Sequence, residues 1–295
     1  MAWRGLHISR ASRLTLSHRQ LVVTQGADET QIALEDLAWV VLDTPEATVT
    51  SALLNACMEA GVAMIFSDPR HMPSGVLLPF HRHHRQAGVA RAQLDASSAL
   101  CNWLWRALVR AKIENQAAVL ANSGAAAQRL RALAARVGPA DPENIEAQAA
   151  RFYWQKLFTG FTRDAEDDRR NAMLNYAYAV LRGGVARALV AAGLLPAIGM
   201  HHASALNPFN LADDVLEPFR PVADALVYRL SASGTQNTGA LSWEDRRALA
   251  AVLLEPVDLG GETVTALVAT ETVAQGLVRA FEVGRAKDWI LPRMP

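Results

Sequence analysis

Residues 38–66 read AWVVLDTPEATVTSALLNACMEAGVAMIF, and three different periods follow one another within them. Ala38 to Leu42 is a short apolar run with valines at its centre, bounded by Asp43, Thr44 and Pro45. A run of that length with turn residues behind it predicts a strand. The Thr48-Val49-Thr50 segment then supplies a hydroxyl cap for a helix that runs to Ala60, and Gly61 ends it. Val62 to Phe66 is again short and apolar, as a buried strand is. Working outward toward the N-terminus, Arg13 to Ser17 alternates polar and apolar. Gln20 to Thr24 follows across a short turn, which predicts a hairpin. Thr30 to Leu34 continues the series, and Gly75 to Leu78 adds one more extended run. Toward the C-terminus the alternation nearly vanishes and Ala and Leu dominate. Helices are predicted over 92–122, 125–137, 142–158, 167–192, 211–230, 243–254 and 265–287, with Gly183-Gly184 loosening the fourth. The fold class is therefore α+β. A small β-rich N-terminal domain spans 1–80, a basic linker 81–91, and a larger all-α domain 92–295.

The 295 residues are 51% hydrophobic and 20% charged, which is enough apolar content for a sizeable core and excludes disorder. Lys plus Arg and Asp plus Glu are 29 each, so the net charge is zero. A nucleic-acid partner is not advertised by such a balance, and any DNA surface has to come from local segregation. Cys57 and Cys101 sit in apolar segments without CxxC spacing, the pattern of free buried thiols in a reducing, cytoplasmic setting. The opening MAWRGLHISR has no apolar core of signal-peptide length. The longest apolar stretch, 185–200, is interrupted by Arg187 and Pro196, short of the roughly 20 apolar residues that a membrane span needs.

Two segments carry chemistry. In 141–158, DPENIEAQAARFYWQKLF, Asp141 is a good N-cap and Pro142 a good first helical residue. The face 146, 149, 150, 153, 157 is then Glu, Ala, Ala, Tyr, Leu, which is one carboxylate on an apolar stripe. Such a group is paired, protonated or metal-bound, because a lone buried charge is costly; pairing with Arg151 or another arginine is the plainer reading. In 199–221, GMHHASALNPFNLADDVLEPFRP, Asn210 can cap a helix on which Asp214 and Glu217 share a face, with Asp213 one turn before Glu217. His201 and His202 precede it. Like charges on one face suit a cation between them, and oxygen ligands with one imidazole suit Mg²⁺ or Mn²⁺. An acidic first helical turn favoured by the helix dipole is the competing explanation for Asp213 and Asp214.

Three stretches together, namely Glu146 with Ala149-Ala150 and Tyr153-Trp154, Gly199-Met200-His201-His202, and Leu211 through Pro221, resemble the spacer-acquisition endonuclease family, the integrase subunit of CRISPR adaptation. Lys112-Ile113-Glu114-Asn115-Gln116, the Asn171 to Tyr178 segment and Thr48 to Leu54 resemble its weaker motifs in the same order. Length and motif spelling are nearest the type II members. The resemblance implies a β-rich domain used for dimerisation and a helical catalytic domain. It also implies a Mg²⁺ or Mn²⁺ site carried over onto Glu146, His202 and Glu217, with Asp214 at a further acidic position found in some members. Ala147 departs from the glycine that often follows the glutamate, and His201 stands as the alternative ligand. The implied partners are prespacer and repeat DNA, a second copy of the chain, and a small adaptation subunit bridging two dimers. The implied reaction is attack of a DNA 3′-hydroxyl on a repeat phosphodiester. Arg82, Arg85, Lys112, Arg163 and Arg220 are the candidate DNA contacts. A metal-dependent nuclease of branched DNA would share the site, whereas a non-catalytic scaffold would show no metal-stimulated activity on DNA.

Overall fold

The computed structural model describes residues 3–80, 83–163, 165, 167–233, 239–286 and 288–295. Its first part holds β1 (Arg4–Ile8), β2 (Ser12–Ser17), β3 (Gln20–Gln25), β4 (Asp28–Ala33), β5 (Leu37–Leu42), β6 (Ala47–Val49), α1 (Ser51–Ala60), β7 (Ala63–Ser67) and β8 (Pro73–Leu77). They make two four-stranded sheets, ordered β1-β5-β7-β8 and β4-β3-β2-β6. The expected hairpin is β2–β3, with Leu14 opposite Val23 and Leu16 opposite Leu21. Its turn, His18-Arg19, has positive φ at both residues (47° and 63°), the primed geometry that matches strand twist, here formed without glycine. Helix α1 starts at the Thr50 cap and ends at left-handed Gly61, while Thr48 and Val49 pair in β6 instead of joining the cap.

β5 is buried along its whole length and lies between parallel β1 and β7. Its alternation assigns its two faces to two cores. Val40 and Leu42 pack with Leu14, Leu21, Leu53 and Cys57 inside the N-terminal lobe. Trp39 and Val41, with Ala63 and Ile65 of β7, pack into the helical core. The two lobes thus share one sheet as a common wall.

The helical part holds α2 (Gln86–Leu94), α3 (Ser98–Asn122), α4 (Gln128–Arg136), α5 (Ile145–Leu157), α6 (Arg169–Ala191), α7 (Asn210–Leu216), a 3-10 turn (Glu217–Phe219), α8 (Arg220–Ser233), α9 (Trp243–Ala250) and α10 (Ala266–Val283). The stretch expected as a linker is helical from Gln86, and the long helix expected over 92–122 is divided where Ser97 caps α3. A hairpin of β9 (Pro256–Leu259) and β10 (Glu262–Thr265), absent from the sequence reading, precedes α10. Helix α6 runs through Gly183-Gly184 without a break. A Cβ there would stand 2.8 Å from Ile65 Cδ1 and 2.5 Å from Leu253 Cδ2, so the glycines allow close packing instead of loosening the helix. Buried Arg187, which interrupts the apolar stretch, donates to Gly61 O at 2.7 Å and to Glu271 Oε1 at 2.6 Å. Asn115 of α3 donates to the carbonyls of Pro218 and Pro292 and accepts from Met294 N, locking the 3-10 turn and the C-terminal tail against α3. No helix of the described residues is long and apolar enough to cross a membrane.

Candidate active site

Glu146 opens α5. Asn144, in the left-handed conformation (φ 50°), is the N-cap, and Asp141 caps from further out, accepting Ile145 N and Glu146 N at 2.9 Å each. The helix thus starts three residues later than expected, with Asn144 and not Asp141 as its N-cap residue and Pro142 in the turn outside it. Ala149, Tyr153 and Leu157 bury the same face and hold Glu146 half-buried at its end. Glu217 sits where α7 gives way to the 3-10 turn and is 4% exposed.

Lys112 of α3 joins the two. Its ammonium lies 2.5 Å from Glu146 Oε1 and in contact with Glu217 Oε2. Arg220 Nε donates to Glu217 Oε1 at 2.8 Å. Burial would raise the Glu217 carboxyl, but Arg220 and Lys112 outweigh it and hold it at about 2. Burial likewise opposes the charge on Lys112, and Glu217 and Glu146 overcome it. Oε2 of Glu217 is buried and has the Lys112 ion contact without an aligned hydrogen bond. Two carboxylates thus converge on one cation.

His202 lies within electrostatic reach of Glu217. Its Nδ1 meets Asp214 Oδ1 at 2.6 Å, which leaves Nε2 for another partner. Asp214 is fully buried and also accepts the backbone N–H groups of Met200, His201 and His202 at 2.5, 3.0 and 3.1 Å. Both Asp214 oxygens are engaged in shaping the histidine loop, and one of them also orients the His202 ring. Gly199 makes the loop possible. A Cβ there would lie 2.2 Å from His202 O and 2.9 Å from Asp214 Oδ2. The Asp214 hydrogen bond raises the His202 pKa against the opposing effect of burial, and the charge of Glu217 adds to the rise. His201 is stacked on Trp105 of α3, with centroids 4.0 Å apart, and His202 meets the edge of the same ring. Asp213 leaves the set by pairing with Arg182 through both oxygens at 2.7 Å.

Behind the site lies a network absent from the sequence reading. Asp224, 1% exposed, accepts Tyr153 Oη at 3.0 Å and Tyr178 Oη, and the Tyr178 ring carries the Arg220 guanidinium 4.7 Å above it. Glu217, Arg220 and Asp224 fall three and four residues apart, which is helical spacing legible in principle from the sequence. Burial pushes the Asp224 carboxyl up to about 7, against the lowering effect of the tyrosines. The folded chain therefore keeps a proton that the unfolded chain releases near pH 4. This stability is present below that pH and is lost as pH rises through about 7. Asp224→Asn is expected to flatten this slope. Between about pH 5 and about pH 8 the thermal midpoint of the variant should fall by about 4 °C less than that of the parent chain, as differential scanning calorimetry measures it.

Two of the remaining candidate cations find protein partners. Arg85 pairs with Glu282 at 2.7 Å, and Arg163 donates to Asn171 and Asn175. Arg82 lies outside the described residues. Among the described residues no three His, Cys, Asp or Glu side chains stand around one point as metal ligands do. The donor chemistry nevertheless fits a hard divalent ion. Two carboxylates already share a cation, one oxygen is buried without an aligned donor, and an oriented imidazole feels the charge of one of the carboxylates.

The family model described as CRISPR associated protein Cas1 matches residues 6–255. A CRISPR-associated endonuclease Cas1 from Neisseria meningitidis serogroup C (strain 8013) is 45% identical over 237 residues, covering 79% of this chain and 78% of the relative. Among solved structures, a casposase bound to integration product superposes with a TM-score of 0.78 at 17% identity, covering 96% of this chain and 92% of that one. A Cas1 protein from Thermotoga maritima superposes with a TM-score of 0.75 at 15% identity, covering 96% and 98%. The two structures share the fold. The family match over most of the chain and the Neisseria relative show that this chain belongs to the CRISPR-associated Cas1 family.

Proposed function

We propose that this chain is a metal-dependent DNA endonuclease and integrase of CRISPR adaptation, which joins a DNA 3′-hydroxyl to a phosphodiester of the repeat. The observation that carries the reading is the Glu146–Lys112–Glu217 bridge beside an outward imidazole. The casposase that shares the fold is held on an integration product, which supports strand joining as the reaction. Glu146, His202 and Glu217 would hold Mg²⁺ or Mn²⁺, which supplies charge stabilisation at the attacked phosphate and the leaving oxygen. The chain's own residues prepare that chemistry. Asp214 fixes the ring of His202 so that Nε2 is the free nitrogen. Arg220, seated on Tyr178, pins one Glu217 oxygen and leaves the other facing Lys112. Lys112 supplies the buried cation that holds the two carboxylates together. The proposed assembly is a homodimer acting on prespacer and repeat DNA with a small adaptation subunit between dimers.

The test is strand joining of a labelled prespacer to a repeat-bearing duplex. Product is expected with Mg²⁺ or Mn²⁺ and none with a chelator; metal-independent joining would remove the reading. In the same assay Asp214→Asn is expected to slow the rate about 10- to 100-fold, the usual cost of losing a group that orients a ligand histidine. A rate equal to the parent's would show that the loop needs no carboxylate.

A further inference from the structure

A cleft of about 480 Å³ opens at the seam of the two lobes and shares no residue with the Lys112 cluster. Helix α6 stands between them. Tyr176 reaches toward His7 in the wall of the cleft (Oη to Nε2, 3.4 Å), while Tyr178, two residues on, reaches Asp224 behind the cluster. Residues two apart on a helix face different sides.

The walls come from both lobes. Arg10, Gln25 and His7 belong to the β-rich lobe, and Trp243, Arg247 and Leu254 to the helical one. No lining residue is acidic. Most arginines described above are tied down, including neighbouring Arg246, whose Nε donates to Asp43 at 2.6 Å. Arg10 and Arg247 are exposed, and their guanidinium groups have no hydrogen bond, ion pair or ring contact among the described residues. In a chain of zero net charge, two unpaired guanidiniums on one cleft are a local segregation of charge. Beside them Trp243 is 46% exposed. It is the first residue of α9, behind the Ser242–Asp245 capping box, and so is held by a defined helix start.

The cleft is also braced across the seam. Asp43, fully buried, meets His7 Nε2 of β1 at 3.0 Å, His71 Nδ1 at 3.0 Å and Arg246 of α9 at 2.6 Å. Trp39 Nε1 adds a bond to Ala250 O at 3.1 Å. One carboxylate thus locks the two walls together, and a ligand meets a formed site without having to order one.

We infer that this cleft is a second DNA contact that takes a single-stranded segment, its phosphates on Arg10 and Arg247 and a base against Trp243. Free guanidiniums beside an exposed indole are the elements of a strand-binding groove. An acidic peptide would engage the arginines and leave the indole without a π partner. The inference rests on the proposed action on DNA.

The test uses the full chain and a short fluorescently labelled single-stranded oligonucleotide, with binding followed by anisotropy at several salt concentrations in chelator. R10E/R247E is expected to weaken binding at least about ten-fold and to reduce the slope of log affinity against log salt by about 1.4, the contribution of two single-strand phosphates. Trp243→Ala should weaken binding about ten-fold with little change of slope, and Trp243→Phe should restore most of it. Circular dichroism checks that each variant is folded. Equal affinity and slope in R10E/R247E and the parent chain overturn the inference. So does a change of oligomeric state in sedimentation with DNA binding intact, which makes the cleft an interface between copies. Displacement of the oligonucleotide by poly-glutamate at equal charge overturns it in favour of an acidic partner. If the parent chain binds no DNA, the proposed function falls with the cleft; if only R10E/R247E behaves as the parent, the cleft alone falls.

Discussion

Glu146→Ala is expected to lower the metal-dependent DNA joining proposed above by about a thousand-fold or more while the chain stays folded. A metal ligand acts on the transition state through several kcal/mol, and each 1.36 kcal/mol is about ten-fold in rate. Among the described residues Glu146 is one of two carboxylates that meet at the Lys112 ammonium, and without it Glu217 is left alone there. Little stability is at stake. The Glu146 side chain is 27% exposed, and the start of α5 is capped by Asn144 and Asp141, which the substitution leaves in place. Lys112 keeps Glu217 as its partner. The measurement is the single-turnover joining rate at saturating Mn²⁺, with the thermal midpoint as the folding control. A rate within about ten-fold of the parent, in a folded variant, would falsify the role of Glu146 as a ligand.

Lys112→Met is expected to act in the opposite way, costing stability that divalent metal restores. Lys112 is 8% exposed and Glu217 4%. Methionine keeps the length of the stem but removes the ammonium, leaving two carboxylates to face each other with only Arg220 on the far oxygen of Glu217. Breaking a buried pair by removing one partner costs about 3–5 kcal/mol, or about 5–8 °C in a chain of this size. A cation that binds only the folded state raises stability in proportion to its affinity. With the ammonium gone, the pair attracts a dication without a competitor. Mn²⁺ is therefore expected to raise the midpoint of Lys112→Met by several degrees more than that of the parent chain. Thermal melts across a Mn²⁺ titration measure this directly. Equal increments in the two proteins would mean that Lys112 and the metal do not share the carboxylates.

Much of the frame was legible because it is written in nearest-neighbour terms. The strand-helix-strand order of 38–66 follows from a change of period and from two caps, Thr50 and Gly61, whose chemistry acts within four residues. The β2–β3 hairpin could be read from alternation alone. The β9–β10 hairpin escaped because four-residue strands carry too little periodicity against an Ala- and Leu-rich surrounding. Gly183-Gly184 looks like a helix breaker in isolation and is a contact surface in three dimensions, because Ile65 and Leu253 come from elsewhere in the chain.

The candidate site divides in the same way. Local spacing was sufficient to single out Glu146 on an apolar face and the acidic turn after two histidines, since both depend on helical period alone. Lys112 was legible only as a cation. That it sits between Glu146 and Glu217 was settled by packing, which brings α3, α5 and the 3-10 turn to one point. Asp213 and Asp214 are adjacent and look interchangeable along the chain. One faces Arg182 and the other turns inward to His202 and three backbone amides, because neighbouring residues on a helix point about 100° apart and only the surrounding fold supplies what each one meets. Sequence carries the period and the type of charge. Burial and partner, which set the free energy of a charge, are properties of the folded chain.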